Sequence, residues 1–369
     1  MCLEGVGRTL TEIIEALGMY DAILARWQKT HDQMSHAFNN VNRKTAVTTA
    51  ALKGLTLILQ VAILAFAAHL ALQDKLTAGS AIASTILIWR ALAPLEGSIA
   101  HLAEFLNARQ AYEEIKIYLN TVGIRPSTIA LPEPQGAFDI EHLCFRYPNM
   151  KDWVLLDINL HIEPGTLLTI VGPSAAGKST LIRLLTGILC PTQGHIRMDN
   201  AEVYTWNRHQ FGQFVGYMPQ VIDLFDATVK ENIARLEESS EDAIIQAAQM
   251  AGAHDLILFL PNGYDTDVHR GGKNLSAGQR QHIALARALF SHPKVVLLDE
   301  PTSHMDERAQ RTFLKTIQKL KAQKVTVIIA THRAHIIQMA DQLLFLKNGK
   351  ILGFGPTTKV LEEIKKYAA

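Results

Sequence analysis

Gly172-Pro173-Ser174-Ala175-Ala176-Gly177-Lys178-Ser179-Thr180 decides the reading of this chain. It follows the apolar run Leu167-Leu168-Thr169-Ile170-Val171 and opens the helical run Leu181-Ile182-Arg183-Leu184-Leu185. The pattern G-x-x-x-x-G-K-[ST] between a strand and a helix reads as a phosphate-binding loop. Gly172 and Gly177 let the backbone bend so that successive N–H groups point inward at phosphate oxygens. The helix beginning near Lys178 adds its positive dipole end. Lys178 can reach the β- and γ-phosphates of a nucleotide, and Ser179 can ligate Mg²⁺. A plain glycine-containing turn with a solvated lysine would not need both the strand and the helix beside it.

With 369 residues the chain is long enough for two or three domains and a large core. A net charge of +1 implies no strong field toward nucleic acid or an acidic partner. Cys2, Cys144 and Cys190 have neither metal-ligand nor redox-motif spacing, which suits a reducing cytoplasm for the soluble part. The first ten residues lack an apolar core and contain Glu4, so no signal peptide is expected.

Leu10, Ile13, Ile14, Leu17 and Tyr20 have helical spacing with charges between them, so Thr9 to about Arg43 reads as an amphipathic helix. Gly54 to Gln73 carries no Asp, Glu, Lys or Arg, and about 20 such residues cross a hydrocarbon core. After the polar break Asp74-Lys75, a second apolar stretch runs over 76–95, interrupted by Arg90. A buried soluble hairpin is the alternative to a membrane pair. Arg43, Lys44, Lys53 and Arg90 put both ends of the pair in the cytoplasm. His69, deep in the first span, reads as a packed polar residue.

Pro126, Pro132, Pro134 and Gly136 mark a linker over 126–137. From Phe138 short β-like runs alternate with helices, the pattern of an α/β nucleotide-binding domain. The expected strands are Phe138–Tyr147, Leu155–Ile162, Leu167–Val171, His195–Met198, Val295–Leu298 and Val325–Ile329, with a helical subdomain inserted between Thr228 and Ala288.

Val295-Val296-Leu297-Leu298-Asp299-Glu300 is an apolar strand ending in two carboxylates. At the carboxyl edge of a sheet, beside the phosphate loop, Asp299 would hold Mg²⁺ through water and Glu300 would polarise an attacking water. Leu275-Ser276-Ala277-Gly278-Gln279-Arg280-Gln281 opens another helix, whose Ser276 and N–H groups around Gly278 make a second phosphate-facing N-terminus.

These three strings together resemble the ATP-binding cassette (ABC) ATPases. The resemblance implies ATP and Mg²⁺ as cofactors and extends residue by residue. Gln220, in Tyr217-Met218-Pro219-Gln220, resembles the glutamine loop that touches Mg²⁺ and senses the membrane domain. His332, in Ala330-Thr331-His332-Arg333, resembles the switch histidine that contacts the γ-phosphate. Ser303-His304-Met305-Asp306 resembles the D-loop, and Tyr147, in Phe145-Arg146-Tyr147-Pro148, the aromatic that stacks on adenine. Catalysis then falls to Glu300, His332 and Lys178, metal binding to Ser179, Gln220 and Asp299, and nucleotide contacts also to Ser276, Gly278 and Gln279.

Membrane spans fused ahead of the cassette are similar to exporters. Glu15-Ala16-Leu17-Gly18-Met19, Arg90-Ala91-Leu92-Ala93-Pro94, Ala108-Arg109-Gln110-Ala111-Tyr112 and Leu260-Pro261-Asn262-Gly263-Tyr264-Asp265-Thr266 are similar to type I secretion exporters of the protease/lipase group. That resemblance implies an α-helical transmembrane region (1–125) followed by an α/β P-loop NTPase domain (138–369), in a bacterial inner membrane with the ATPase in the cytoplasm. It implies a homodimer closed around two ATP molecules, an exported unfolded protein as substrate, a periplasmic adaptor and an outer-membrane channel. A soluble ABC ATPase, an exporter of lipid or drug, and a decayed gene product also accommodate these residues.

The chain departs from the family in three places. Only the last two of six spans are found, so it looks like a C-terminal portion. Ala277 stands where glycine is commonest. Val268-His269-Arg270-Gly271-Gly272 carries a base where the family has an acid, and Asp21 is a candidate to pair with Arg270.

Overall fold

The computed structural model describes residues 14–73, 75, 77–121, 131–148, 150–269 and 271–368. The chain divides into two compact units, Met1–Ile124 and Arg125–Ala369.

The first unit is two long helices packed on each other, α1 (Tyr20–Leu72) and α2 (Ala78–Thr121). The single helix expected from Thr9 is broken at Gly18. This glycine takes φ +60°, and the Met19 N–H closes a turn onto the Ile14 carbonyl at 2.9 Å. A left-handed glycine ends a helix in this way. Asn42–Leu72 is long and apolar enough to cross a membrane, by length and composition, and is the one such segment among the described residues. It contains nearly all of the first expected span and presents Leu55, Leu57, Ile58, Val61 and Phe66 outward. Along it, His69 Nε2 lies 3.0 Å from Gln73 Nε2, one turn on. The second expected span lies largely on α2, and several of its side chains, with Asp74 and Leu76, fall outside the described residues.

The second unit holds β1 (Phe138–Phe145), β2 (Leu155–Ile162), β3 (Leu167–Val171), α3 (Lys178–Leu185), β4 (Gln193–Met198), β5 (Ala201–Glu202), α4 (Arg208–Phe214) and β6 (Val215–Met218). It continues with α5 (Val229–Ile233), α6 (Glu241–Met250), α7 (His254–Leu258), a 3₁₀ turn at Gly263–Asp265 and α8 (Ala277–Leu289). Then come β7 (Val295–Asp299), α9 (Glu307–Ala322), β8 (Thr326–Ala330), α10 (Ala334–Met339), β9 (Gln342–Lys347), β10 (Lys350–Pro356) and α11 (Thr357–Ala368). Strands β2-β1-β4-β5 form an antiparallel sheet and β10-β9-β3-β8-β7-β6 a second one, in which β9, β3, β8, β7 and β6 run parallel.

The central strands are buried on both faces, which is why they read as unbroken apolar runs. Period-2 alternation divides each of them between two cores. Val296, Leu298, Val327 and Ile329 pack with Ile283, Leu285, Phe313 and Ile317 of α8 and α9. Val295, Leu297 and Ile328 pack on the other side with Ile182 and Leu185 of α3 and Ile140 of the small sheet. The helical subdomain expected between Thr228 and Ala288 is present as α5 to α8. The sequence reading missed β5, β6, β9 and β10. Of these, β6 is four residues long and contains Gly216, where a Cβ would lie 2.1 Å from the Ala288 carbonyl oxygen. Strand β10 is an edge strand with exposed and half-buried positions, so it carries little apolar signal.

Candidate nucleotide site

Four of the parallel strands deliver the expected residues to one edge. After β3 comes Gly172, β7 ends at Asp299 with Glu300 next, β8 is followed by Thr331-His332, and β6 by Pro219-Gln220. The pairings Ile170 with Ala330, Asp299 with Ala330 and Met218 with Leu298 put these ends level. Ligands of open α/β sheets bind outside the carboxyl ends of the strands.

The loop backbone is pressed against its neighbours. A Cβ on Gly172 would meet the Leu346 carbonyl oxygen at 2.1 Å, and one on Gly177 the Leu155 Cδ2 at 2.7 Å. Gly177 takes φ +100° and Ala175 φ +62°, while Ala176 is buried. Helix α3 starts at Gly177 without a side-chain cap, which leaves its first N–H groups to a ligand. The Lys178 ammonium donates to the Gly172 carbonyl at 2.8 Å and the Pro173 carbonyl at 3.0 Å. It is thus held over the turn that Ser174 and Ala175 cross. The Tyr147 hydroxyl lies 3.4 Å from Thr180 Oγ1, and its ring packs edge-on to Phe145 at 5.0 Å. Tyr147 is therefore tied to the loop helix itself.

Asp299 is only 2% exposed. Burial pushes its carboxyl above the usual carboxylate range, a hydrogen bond with Ser179 works against this, and Glu300 adds to it. Its Oδ1 is buried with no partner among the described residues. The Ser179 hydroxyl, the Asp299 carboxylate and, past β6, the exposed Gln220 amide are all oxygen donors, which suits a hard cation. The residues present fit Mg²⁺, and its charge would offset the burial of Asp299.

Glu300 takes φ +49°, a costly conformation for a residue with a Cβ. Its N–H donates to the Ala330 carbonyl at 2.9 Å. Its Oε1 lies 3.1 Å from His332 Nδ1, with side-chain exposures of 13% for Glu300 and 70% for His332. Its Oε2 is buried without a partner among the described residues. A carboxylate and an imidazole in contact beside a phosphate loop can hold a water and a γ-phosphate in one geometry.

Ser276 caps α8 in a reciprocal box: its Oγ accepts from the Gln279 N–H at 3.1 Å, and Gln279 Oε1 accepts from the Ser276 N–H at 2.8 Å. A Cβ on Gly278 would meet the His304 carbonyl oxygen at 3.4 Å, an ordinary contact. Arg280 Nη1 donates to the Gly272 carbonyl at 3.1 Å, and Gln281 ties the helix to the segment after β7. Buried Gln281 donates to the Pro301 carbonyl and accepts from the His304 N–H at 3.0 Å. Gln281 has no assigned part in the sequence motif; the signal that marks it is an amide at helical spacing from the buried Ala284, Leu285 and Ala288. In the D-loop string, Asp306 caps α9 by accepting from the Ala309 N–H at 2.7 Å. Arg270 lies outside the described residues, so its expected pairing with Asp21 is not described; the neighbouring His269 N–H donates to Asn274 Oδ1 at 3.1 Å.

Residues 155–303 match the ABC transporter family. The chain carries an ABC transporter domain. It is 36% identical over 358 residues to the type I secretion system ATP-binding protein PrsD of Rhizobium meliloti (strain 1021), covering 96% of this chain and 61% of that protein. It is 31% identical over 366 residues to the leukotoxin translocation ATP-binding protein LktB of Mannheimia glucosida, covering 96% of this chain and 50% of that one. A solved bacterial Atm1-family ABC exporter with ATP bound superposes with a TM-score of 0.84 at 26% identity, over 99% of this chain and 64% of that chain. The chain thus spans between half and two thirds of the length of these relatives.

Proposed function

We propose that this chain is the ATPase-bearing part of an exporter that hydrolyses ATP to move protein across a bacterial inner membrane. The observation that carries the reading is the edge where Gly172–Thr180, the Asp299–Ser179 contact and the Glu300–His332 pair converge. Lys178, with the N–H groups of the loop, would hold the phosphates, Tyr147 the adenine, and Ser179, Gln220 and Asp299 the Mg²⁺. That metal would neutralise phosphate charge when bound. Glu300 takes the proton of the attacking water and His332 orients the γ-phosphate. Ser276, Gly278 and Gln279 of a second copy complete each site, giving an isologous pair with two ATP molecules between them.

Protein cargo is supported by the relatives named for type I secretion and leukotoxin translocation, and the membrane setting by the apolar segment Asn42–Leu72. A periplasmic adaptor and an outer-membrane channel would complete the path. The decisive experiment measures Mg²⁺-dependent ATPase activity of the purified chain and of Glu300→Gln, with light scattering of the variant with and without ATP. Hydrolysis by the wild type and an ATP-dependent dimer of the variant support the proposal. An ATP-independent monomer at high concentration counts against the paired site. Release from membranes by carbonate wash would favour a soluble ABC ATPase. Stimulation by lipid or drug in place of unfolded glycine-rich polypeptide would change the cargo.

A further inference from the structure

Helix α5 ends in a turn that L-residues rarely adopt: Arg235 takes φ +58° and Leu236 φ +64°. Such residues are strained and persist only where their surroundings hold them there. The Leu236 N–H closes the turn onto the Glu231 carbonyl at 2.9 Å, and the Arg235 guanidinium braces it from the side. Its Nε donates to the Arg287 carbonyl at 3.1 Å, and its Nη2 reaches the Ala288 and Phe290 carbonyls at 3.4 and 3.3 Å. Its Nη1 donates to the Gly212 carbonyl. Arg287 and Ala288 lie in the last turn of α8, with Phe290 its C-cap. Gly212 lies on α4, which runs directly into β6. One planar fork therefore ties three segments together.

Two further contacts run along the same junction. The Ala288 carbonyl oxygen lies so close to Gly216 of β6 that a Cβ there would stand 2.1 Å away. Arg287, also on α8, donates from Nη2 to the Asp223 carbonyl at 3.0 Å, and its guanidinium lies 5.8 Å from the Phe225 ring. Asp223 and Phe225 belong to the loop that begins at Gln220. The far end of α8 is the Ser276 cap, 13 residues and about 20 Å away. Burial holds Arg235 below its usual arginine range, with Glu237 acting against this and Arg287 adding to it. A half-buried cation among carbonyls at a helix C-terminus is favoured by the helix dipole.

We propose that Arg235 is a positioning residue that makes α8 and the β6–Gln220 loop move as one body, carrying a change at the Ser276 end to the catalytic edge. This rests on the ATP-hydrolysis reading above. A lysine would keep the charge but could not span the four carbonyls, because its donors are a compact point rather than a rigid fork.

The test uses the whole chain in nanodiscs, as wild type, Arg235→Lys and Arg235→Ala. ATP turnover, ATP affinity, melting temperature and backbone hydrogen exchange are followed. The expected result is a kcat lowered about tenfold or more in both variants, with ATP affinity within about threefold of wild type. ATP-induced protection should persist at 172–181 and disappear at 215–226. Millimolar guanidinium should restore part of the turnover of Arg235→Ala and none in Arg235→Lys, where the ammonium fills the site. Unchanged kcat and protection in folded variants would overturn the proposal. So would losses of kcat and ATP affinity that follow the unfolded fraction, since those mark a merely structural arginine. If the wild type hydrolyses no ATP, the hydrolysis reading fails, and the protection pattern on ATP binding still decides the role of Arg235.

Discussion

His332 Nδ1 stands 3.1 Å from Glu300 Oε1, although the two residues reach that point from different strands and are 32 positions apart in sequence. Among the described residues the other carboxylate oxygen of Glu300, Oε2, is buried and has no partner. Glu300→Gln keeps the shape and an oxygen for His332 while removing the base. Turnover should fall by about 10²–10⁴-fold with ATP affinity near wild type. Lys178→Ala should instead weaken ATP binding itself. Single-turnover hydrolysis and fluorescent-nucleotide titration separate the two, and wild-type turnover in Glu300→Gln would remove Glu300 from the role of base.

Among the described residues, three histidines of the small sheet, His142, His161 and His195, contact carboxylates, and His161 is the one that meets two. Its Nδ1 meets Asp139 on β1, and its Nε2 lies 3.1 Å from Glu163. The bond to Asp139 is the largest influence raising its imidazole above the ordinary histidine range. The folded state therefore holds this proton more tightly than the unfolded one. Its contribution to stability is complete below the unfolded value of about 6.5 and is lost as pH rises through the higher folded value. An NMR titration should show His161 turning at a higher pH than a free histidine, with Asp139→Asn moving the midpoint down. An unmoved midpoint would mean the contact does not persist in solution.

The catalytic string was legible because its strand–loop–helix grammar is local: apolar β3, two glycines, a lysine, and then α3. Asp299 and Glu300 were legible for the same reason, as the end of a run buried on both faces. What local pattern could not reveal is what long-range contact decides. Strand β6 contains a glycine and is held by its ladder to β7 and the close approach of the Ala288 carbonyl. Gln281 and Arg235 act on backbone carbonyls of segments remote in sequence, and no spacing rule marks such partners. The helix break at Gly18 was missed because the apolar period runs straight through it, while the left-handed glycine is a backbone choice.

Two glycines of the site should respond oppositely to alanine. At Gly172 the new Cβ would sit 2.1 Å from the Leu346 carbonyl oxygen, and backbone cannot yield as a side chain can. Gly172→Ala should lower the melting temperature by several degrees, since misplacing the loop strains β3 against β9. At Gly278 the Cβ would make an ordinary 3.4 Å contact with the His304 carbonyl oxygen. Gly278→Ala should melt within about 2 °C of wild type. Any loss of ATPase activity there is then a loss at the surface that the proposed paired site would offer to a second copy. Calorimetry on both variants checks this, and equal destabilisation would show that the Gly278 turn has less room than its surroundings indicate.

Asp299 sets stability against function at a single atom. Its carboxyl is buried, one oxygen lacks a partner among the described residues, and burial raises its proton affinity over the unfolded chain. A carboxylate raised in this way contributes most to stability below the unfolded value of about 3.8. That contribution is lost as pH climbs through the higher folded value. At neutral pH the ionised group is therefore a net burden on the fold. Asp299→Asn removes the charge and keeps the shape and the capacity to bond Ser179. Without Mg²⁺, the variant should be more stable than wild type by about 1–3 kcal/mol at pH 7–8, a rise of a few degrees in melting temperature. The gain should fade below about pH 4, where the wild-type carboxyl is protonated as well. Mg²⁺ with nucleotide should reverse the order, because a carboxylate gains more from the cation than an amide oxygen does and ligand binding adds stability by mass action. Thermal scans at two pH values, with and without Mg²⁺ and ADP, test all three statements. An Asn variant that melts lower than wild type in EDTA at neutral pH would show that Asp299 is already satisfied within the fold and is not waiting for a cation.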